Sequence, residues 1–280
     1  MRQAIPIIRT VSDLRTQVKS WKAQGHRVGL VPTMGALHDG HLSLVKALKS
    51  HADKIIVSIF VNPTQFAAHE DLDTYPRTEI EDCAKLSDVA ADLAYIPAAS
   101  EIYPEGFASA LHIGGPSKGL ESDARPHFFD GVAIVVQKLF QQSQADVAIF
   151  GEKDYQQLLV IKKMVRDLDI PITIVAGAIM REPDGLAMSS RNAYLTPENR
   201  IIAGRLNGIL KQLAMTDLPT AQAEAEATAA LRTAGFTAVD YATIRDAETL
   251  ALPNATTQSR RALIVARIGE IRLLDNMAAK

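Results

Sequence analysis

A chain of 280 residues, 47% of them hydrophobic, is long enough to bury a large core and fits one or two globular domains. Its net charge of −2 excludes a long-range electrostatic pull toward nucleic acid or an anionic membrane, leaving at most a local basic cleft. A lone cysteine, Cys83, excludes an intrachain disulfide framework. The apolar start, Met1-Arg-Gln-Ala-Ile-Pro-Ile-Ile8, is too short and proline-broken for a signal peptide, and no run approaches a membrane span, so a cytoplasmic protein is expected.

In chain order, residues 10–24 predict an amphipathic helix. Val11, Leu14, Val18 and Trp21 recur at helical spacing, Thr10 or Ser12 can cap the start, and Gly25 can end it. Trp21 is then core. Residues 28–45 are the stretch that organises the chain: an apolar run stops at Pro32, and Leu42, Leu44, Val45 and Leu48 begin a helical face near Gly40. This is a strand, a tight turn and a helix, with His38 and His41 between them. A helix N-terminus presents free N–H groups and a positive dipole end, and imidazoles three residues apart share one side of the first turn, so the segment reads as an anion site. A pair of solvated or capping histidines is the plainer alternative.

Residues 54–61 form a continuous Ile/Val run, as in a parallel strand covered on both faces, and it ends at Asn62-Pro63 with Gln65 close behind. Ligands collect at such strand ends, and Asn62 and Gln65 offer uncharged partners for a hydroxyl and carboxylate substrate, although Asn-Pro also makes a turn unaided. A polar loop from Asp71 then enters a helix that Thr78 can cap. Glu81 and Asp82 suit its acidic first turn, and could also hold Mg2+. Cys83 inside that helix reads as packing.

A short strand at 92–97 and an irregular stretch at 100–116, with a brief strand near Leu111-His-Ile113, lead to a helix over 131–142 and a strand over 146–150. The latter ends in Gly151-Glu-Lys153-Asp154 before a helix carrying Leu158, Ile161, Met164 and Val165. Lys153 can set a point charge on a triphosphate and Asp154 can accept from a ribose hydroxyl; a solvated loop lysine is the alternative. The last strand of the series, 171–179, precedes Met188-Ser189-Ser190-Arg191, two hydroxyls and an arginine suited to clamping phosphates. Beyond it come helices at 197–215 and 219–235 and strands at 236–244, 261–268 and 271–275. The prediction is an α/β fold: a Rossmann-like doubly wound parallel sheet in residues 1–180 and a smaller C-terminal α+β lid domain in residues 181–280.

Five ordered motifs, Pro32-Thr-Met-Gly-Ala-Leu-His-Asp-Gly-His41, Val57-Ser-Ile-Phe-Val-Asn-Pro63, Tyr75-Pro-Arg-Thr78, Phe150-Gly-Glu-Lys-Asp154 and Asp184-Gly-Leu-Ala-Met-Ser-Ser-Arg-Asn192, resemble the pantothenate synthetase family of the nucleotidylyl transferase superfamily. Ile244-Arg-Asp-Ala247 and Arg272-Leu-Leu-Asp-Asn276 extend the resemblance over nearly the whole chain. It implies that ATP and pantoate form pantoyl adenylate and pyrophosphate, that β-alanine then gives pantothenate and AMP, and that Mg2+ and a homodimer are involved. It also implies that Met34, His38, His41, Gly151, Lys153, Asp154, Met180, Met188, Ser189, Ser190 and Arg191 meet ATP, with His38, His41 and Lys153 catalytic. Gln65, Gln157 and Asn62 would serve pantoate, Asp82 or Glu81 the metal, and Tyr75 would lie over the phosphates.

One segment departs from the family pattern. Where the family reads Arg-Pro-Gly-His-Phe-Arg-Gly-Val, this chain has Arg125-Pro-His127-Phe128-Phe129-Asp130-Gly131-Val132, so Phe128 fills the histidine slot and only His127 could replace it. His26, His51, His69 and His112 read as surface or hydrogen-bonded structural residues. Two other classes of function stay open at this level. One is nucleotidyl transfer to a phosphorylated acceptor, which the neutral Gln65 and Gln157 disfavour; the other is an ATP-binding regulatory module without turnover. A tRNA-charging role lacks a basic appended domain.

Overall fold

The computed structural model describes residues 4–66 and 72–280, and the expectation for His69 lies outside them. The chain runs β1 (Ile7–Ile8), α1 (Val11–Ala23), β2 (Val28–Thr33), α2 (Asp39–Leu48), β3 (Lys54–Ile59), α3 (Glu79–Asp88), β4 (Leu93–Tyr95), the short α4 (Ala99–Ile102) and α5 (Glu121–Ala124), α6 (Phe128–Ser143), β5 (Val147–Gly151), α7 (Tyr155–Asp167) and β6 (Thr173–Gly177). These six strands form one parallel sheet in the order β1-β4-β3-β2-β5-β6. Alternation of Ile- and Val-rich strands with amphipathic helices forces this arrangement, because a parallel strand needs a crossover and the crossover helix buries one sheet face.

The apolar side chains divide accordingly. Trp21 of α1, Leu139 of α6 and Met164 of α7 pack with Leu30 and Ile56 in one cluster, while Val45 of α2 and Leu86 of α3 pack with Val31 and Val57 in another. From β2 the chain builds outward through β3 and β4 on one side and through β5 and β6 on the other. That reversal opens a crevice at the carboxyl ends of β2, β3 and β5, where such sheets bind ligands.

After β6 the chain forms α8 (Pro197–Ala203), α9 (Leu206–Met215), α10 (Thr220–Ala234) and an antiparallel sheet of β7 (Ala238–Asp246), β8 (Arg260–Ile268) and β9 (Ile271–Ala279). Leu210 and Leu213 of α9 and Leu231 of α10 cover one face of this sheet against Ile244 and Ile264, a core separate from those of the large sheet.

Three local expectations are corrected. The helix expected over 197–215 is two helices, α8 and α9: at Gly204 and Arg205 the regular ladder is interrupted, with Arg205 N bonding back three residues to Ile202 O at 3.0 Å. Leu111-His-Ile113 is not a strand, and α6 starts at Phe128 instead of Gly131. The two-residue β1 is too short to leave a pattern in the sequence, and forms because Ile7 and Ile8 pair with Ala94 and Tyr95.

Gly131 lets α6 approach the end of β3. A Cβ there would sit 2.4 Å from the carbonyl oxygen of Thr64, a backbone atom that cannot turn aside. Gly131→Ala is expected to lower unfolding stability in denaturant by about 1–3 kcal/mol. Gly208→Ala, in α9 with nothing within 4 Å, should raise it by about 0.5–1 kcal/mol through helix propensity.

Candidate active site

The turn after β2 is held by a carboxylate from another helix. Gly35 and Ala36 are both left-handed, with φ of +88° and +50°, a conformation unfavourable for alanine. Asp82 of α3, fully buried, accepts from Ala36 N at 2.9 Å and Leu37 N at 2.7 Å, and Thr78 Oγ1 donates to it at 3.2 Å. Lys85 Nζ donates to the Leu37 carbonyl at 2.6 Å. With its oxygens engaged inside the fold, Asp82 is the brace of this turn, and Glu81 is exposed on the outer face of α3. Neither carboxylate lines the cavity described below.

The brace delivers His38 to the N-cap of α2. Its Nδ1 accepts from Gly40 N at 3.1 Å, and His41 Nδ1 accepts from His38 N at 3.4 Å. The rings lie 4.1 Å apart between centroids. Gly40 is required, since a Cβ would come within 2.8 Å of the His38 ring. Burial, reinforced by Lys153, lowers the His38 pKa to about 4; burial and then His38 itself lower that of His41 to about 3. Both imidazoles are therefore neutral at pH 7, and because each Nδ1 accepts, Nε2–H is the nitrogen that donates.

At the end of β3, Asn62 caps a 3-10 turn (Pro63–Gln65) and is almost wholly buried. Its Oδ1 accepts from Thr64 and Tyr103, and its Nδ2 donates to Gln65 Oε1 at 3.2 Å and Gly131 O at 3.1 Å. Asn62 thus orients Gln65 and has its own amide engaged. Gln65 Nε2 points to Met34 Sδ at 2.8 Å, which couples the two strand ends. At the end of β5 a 3-10 turn (Glu152–Asp154) presents Lys153, with its side chain 21% exposed and Nζ 3.9 Å from Asp154 Oδ1. Gln157 stands one turn further, on α7.

From the other side a hairpin joined at Arg181 and Ala187 carries Met180 and Met188, linked by Met188 N to Met180 O at 2.9 Å. It continues into Ser189, whose Oγ caps Arg191 N at 3.3 Å, and into Ser190, whose Oγ is 3.5 Å from the Tyr75 hydroxyl. One cavity of about 900 Å³ is lined by Met34, His38, His41, Asn62, Gln65, Tyr75, Gly151, Lys153, Asp154, Gln157, Met180 and Met188–Arg191 together. An array of neutral donors and several cations, Lys153, Arg191 and Arg125 among them, around one space can hold a polyphosphate and a hydroxylated carboxylate side by side.

The departing segment is partly in this wall. Phe128 lines the cavity beneath the Arg125 guanidinium, 3.8 Å from its ring centroid, and Arg125 donates to the Gln65 carbonyl at 2.9 Å. His127 is exposed and outside the lining, so it does not replace the histidine of the family pattern. Asp130 pairs instead with His112 on the surface, at 2.9 Å. Sequence reasoning also missed Asp275 and Asn276 of β9, which enter the cavity wall from the small sheet; their motif was visible but had no role attached.

The model of the family described as Pantoate-beta-alanine ligase matches residues 6–278. A pantothenate synthetase of Maricaulis maris is 53% identical over 99% of this chain and 98% of its own length. Among solved structures, a pantothenate synthetase of Thermus thermophilus superposes with a TM-score of 0.90 at 40% identity, covering 98% of this chain and 99% of that one. A pantoate-beta-alanine ligase of Francisella tularensis, complexed with beta-gamma ATP and beta-alanine, gives 0.84 at 35% identity over 98% of both chains.

Two expectations follow from the geometry. Histidines whose folded pKa is depressed bind fewer protons in the native state, so their contribution to stability is full above the unfolded value near 6.5 and is lost as pH falls toward 4 and 3. Denaturant unfolding of the ligand-free protein between pH 7 and 4 should show this slope, flattened in His41→Asn. Asp82→Asn should cost about 1–3 kcal/mol, because an amide N–H2 then faces a backbone donor, while leaving the Mg2+ concentration for half-maximal turnover unchanged.

Proposed function

The chain belongs to the pantoate-beta-alanine ligase family, and on that premise we propose how its cavity carries the reaction. The enzyme is an ATP-dependent ligase of pantothenate biosynthesis: it condenses pantoate and β-alanine through pantoyl adenylate, with release of pyrophosphate and AMP. The observation that carries the assignment of roles is the meeting, in one cavity at the reversal of the sheet, of the His38/His41 turn, Lys153 and the neutral pair Gln65 and Gln157.

In this reading the nucleotide lies along the β2–β5 crevice. Gly151 and Asp154 meet the ribose, and Met34, Met180 and Met188 flank the nucleoside. His38 and His41 donate from Nε2 to phosphate oxygens at the N-terminus of α2, where the helix dipole adds attraction. Lys153, Ser189, Ser190 and Arg191 gather the remaining negative charge, with Tyr75 beside them. Gln65 and Gln157 hold the hydroxyls and carboxylate of pantoate, with Asn62 fixing Gln65.

The first step joins a pantoate carboxylate oxygen to the α-phosphorus and breaks the bond to pyrophosphate. A carboxylate needs no base to attack, so the residues act by alignment and by stabilising charge on the phosphates. Neutral imidazoles suit this, because they donate hydrogen bonds without titrating near pH 7. In the second step the β-alanine amine bonds to the acyl carbon, the acyl–oxygen bond to AMP breaks, and the amine proton passes to solvent or the departing phosphate.

Magnesium fits this cavity as a companion of ATP, where it would supply further neutralisation of the phosphates beside Lys153 and Arg191. A homodimer, a cytoplasmic location and a division near residues 180/181 into a nucleotide- and pantoate-binding domain and a lid complete the proposal. No helix among the described residues is long and apolar enough to cross a membrane.

The test measures AMP and pantothenate from ATP, Mg2+ and pantoate, with and without β-alanine. Wild type should form both products in equal amounts only when all substrates are present. Lys153→Ala and His41→Ala should each lower kcat by about 10²–10³-fold, in the range of removing one preorganised donor from a charged transition state. ATP binding without AMP formation for any amine would leave a regulatory binding module as the reading.

A further inference from the structure

Two adjacent residues of β9, Asp275 and Asn276, are each 2% exposed, and between them they grip the Lys153 turn and the hairpin that leads to Arg191. Neighbouring residues on a strand point to opposite faces, so one dipeptide can reach in two directions. Asn276 Nδ2 donates to the carbonyls of Glu152 at 3.0 Å and Lys153 at 2.8 Å, both in the turn that presents Lys153. The amide is held in that orientation, because Arg261 Nε donates to Asn276 Oδ1 at 2.7 Å. Arg261 in turn is fixed over the Tyr155 ring at 4.1 Å and reaches Glu152 Oε2 at 3.3 Å.

Asp275 serves the opposite element. It receives a forked pair of bonds from Arg181, at 2.5 and 3.0 Å, and Arg181 also donates to the Gly185 carbonyl at 2.9 Å. Arg181 opens the hairpin that leads to Ser189–Arg191. The Lys153 turn belongs to the large sheet, and the Arg191 segment follows the last strand of that sheet. The middle of β9, paired with β8 along its whole length, bridges the two.

We propose that Asp275 and Asn276 form a splint that sets the spacing of Lys153 against Ser189–Arg191, making them positioning residues for adenylyl transfer. The inference rests on the ligase reading above and adds to it a role for the small sheet beyond covering the cavity. Reacting groups displaced by about 1 Å can lose about 10²-fold in rate, so a splint of this kind is read in kcat.

The experiment follows pantoate-dependent ATP–pyrophosphate exchange alongside pantothenate formation. Asn276→Asp has the same shape but removes both donors and sets a carboxylate beside two carbonyls. It should lower kcat for exchange by about 10–100-fold while KM for pantoate stays within about twofold, since Gln65 and Gln157 stand on other elements. In a Lys153→Ala background the same substitution should add less than about twofold, because it acts through Lys153. Asp275→Asn should be non-additive with Arg191→Ala in the same manner.

A merely structural role would give losses that multiply in full in both backgrounds, and that result, or an Asn276→Asp enzyme within twofold of wild type, overturns the proposal. Should Asn276→Asp not fold, Arg261→Gln, which frees the Asn276 amide to rotate, reads the same coupling to Lys153→Ala, and full additivity there overturns it equally. Failure of wild type to make pantothenate would instead overturn the ligase reading, so the two failures are distinct.

Discussion

A single buried carboxylate sets the geometry on which the cavity depends. The Gly35–Ala36 turn is left-handed at two successive residues, and an alanine in that region is strained by about 1–2 kcal/mol. Asp82 overcomes this by accepting from the backbone N–H groups of Ala36 and Leu37, and Lys85 takes the Leu37 carbonyl from one turn further along the same helix. A buried charge is tolerable only when its lone pairs are satisfied, and here the satisfying donors are the turn itself. The direction in which α2 starts, and hence the facing of His38 and His41, follows from this contact between distant segments.

The histidines repeat that economy on a smaller scale. Each uses Nδ1 to satisfy a backbone donor at the start of α2, so one ring nitrogen is structural and the other is left to donate. Burial keeps both rings uncharged, so the positive charge facing the cavity comes from Lys153, from Arg191 and other arginines of the lining such as Arg125, and from the helix terminus.

The two sheets meet through polar contacts more than through shared apolar core. Arg272 of β9 pairs with Glu121 of α5 at 2.6 Å and with Asp240 of β7 at 2.7 Å, and Tyr241 donates to Glu121 at 3.0 Å. Among the described residues, Leu120, Leu250 and Leu263, with Tyr155, Leu159 and Tyr241 around them, form a small apolar patch in this region. A seam of buried ion pairs adds little net stability compared with apolar packing, but it admits few alternative registers. Arg125 adjoins this seam through Glu121 and carries it to the Gln65 carbonyl, so the altered segment beginning at Arg125 lies between the acid-binding end and the small sheet.

Local pattern sufficed for much of this molecule. The Ile/Val runs and amphipathic helices dictate a covered parallel sheet, and the polar residues at the ends of β2, β3 and β5 are legible because strand ends in such sheets are where ligands bind. The family follows from five ordered motifs and agrees with the relatives found. What sequence could not decide is how a polar side chain is used once the chain has folded. Asp82 at a helix start looks the same whether it binds a cation or caps a turn 45 positions away in the chain. Asn62 reads as a cavity residue from sequence, but that its amide is engaged by Thr64, Tyr103, Gln65 and Gly131 is visible only in the fold. His127 could stand in for a displaced histidine by adjacency alone, yet the first turn of α6 points it to solvent and sends Phe128 into the wall. Periodicity and motif spacing are properties of neighbours in the chain, whereas the partner of a hydrogen bond is fixed by tertiary packing, and only packing brings Asp275 and Asn276 across to the elements they hold.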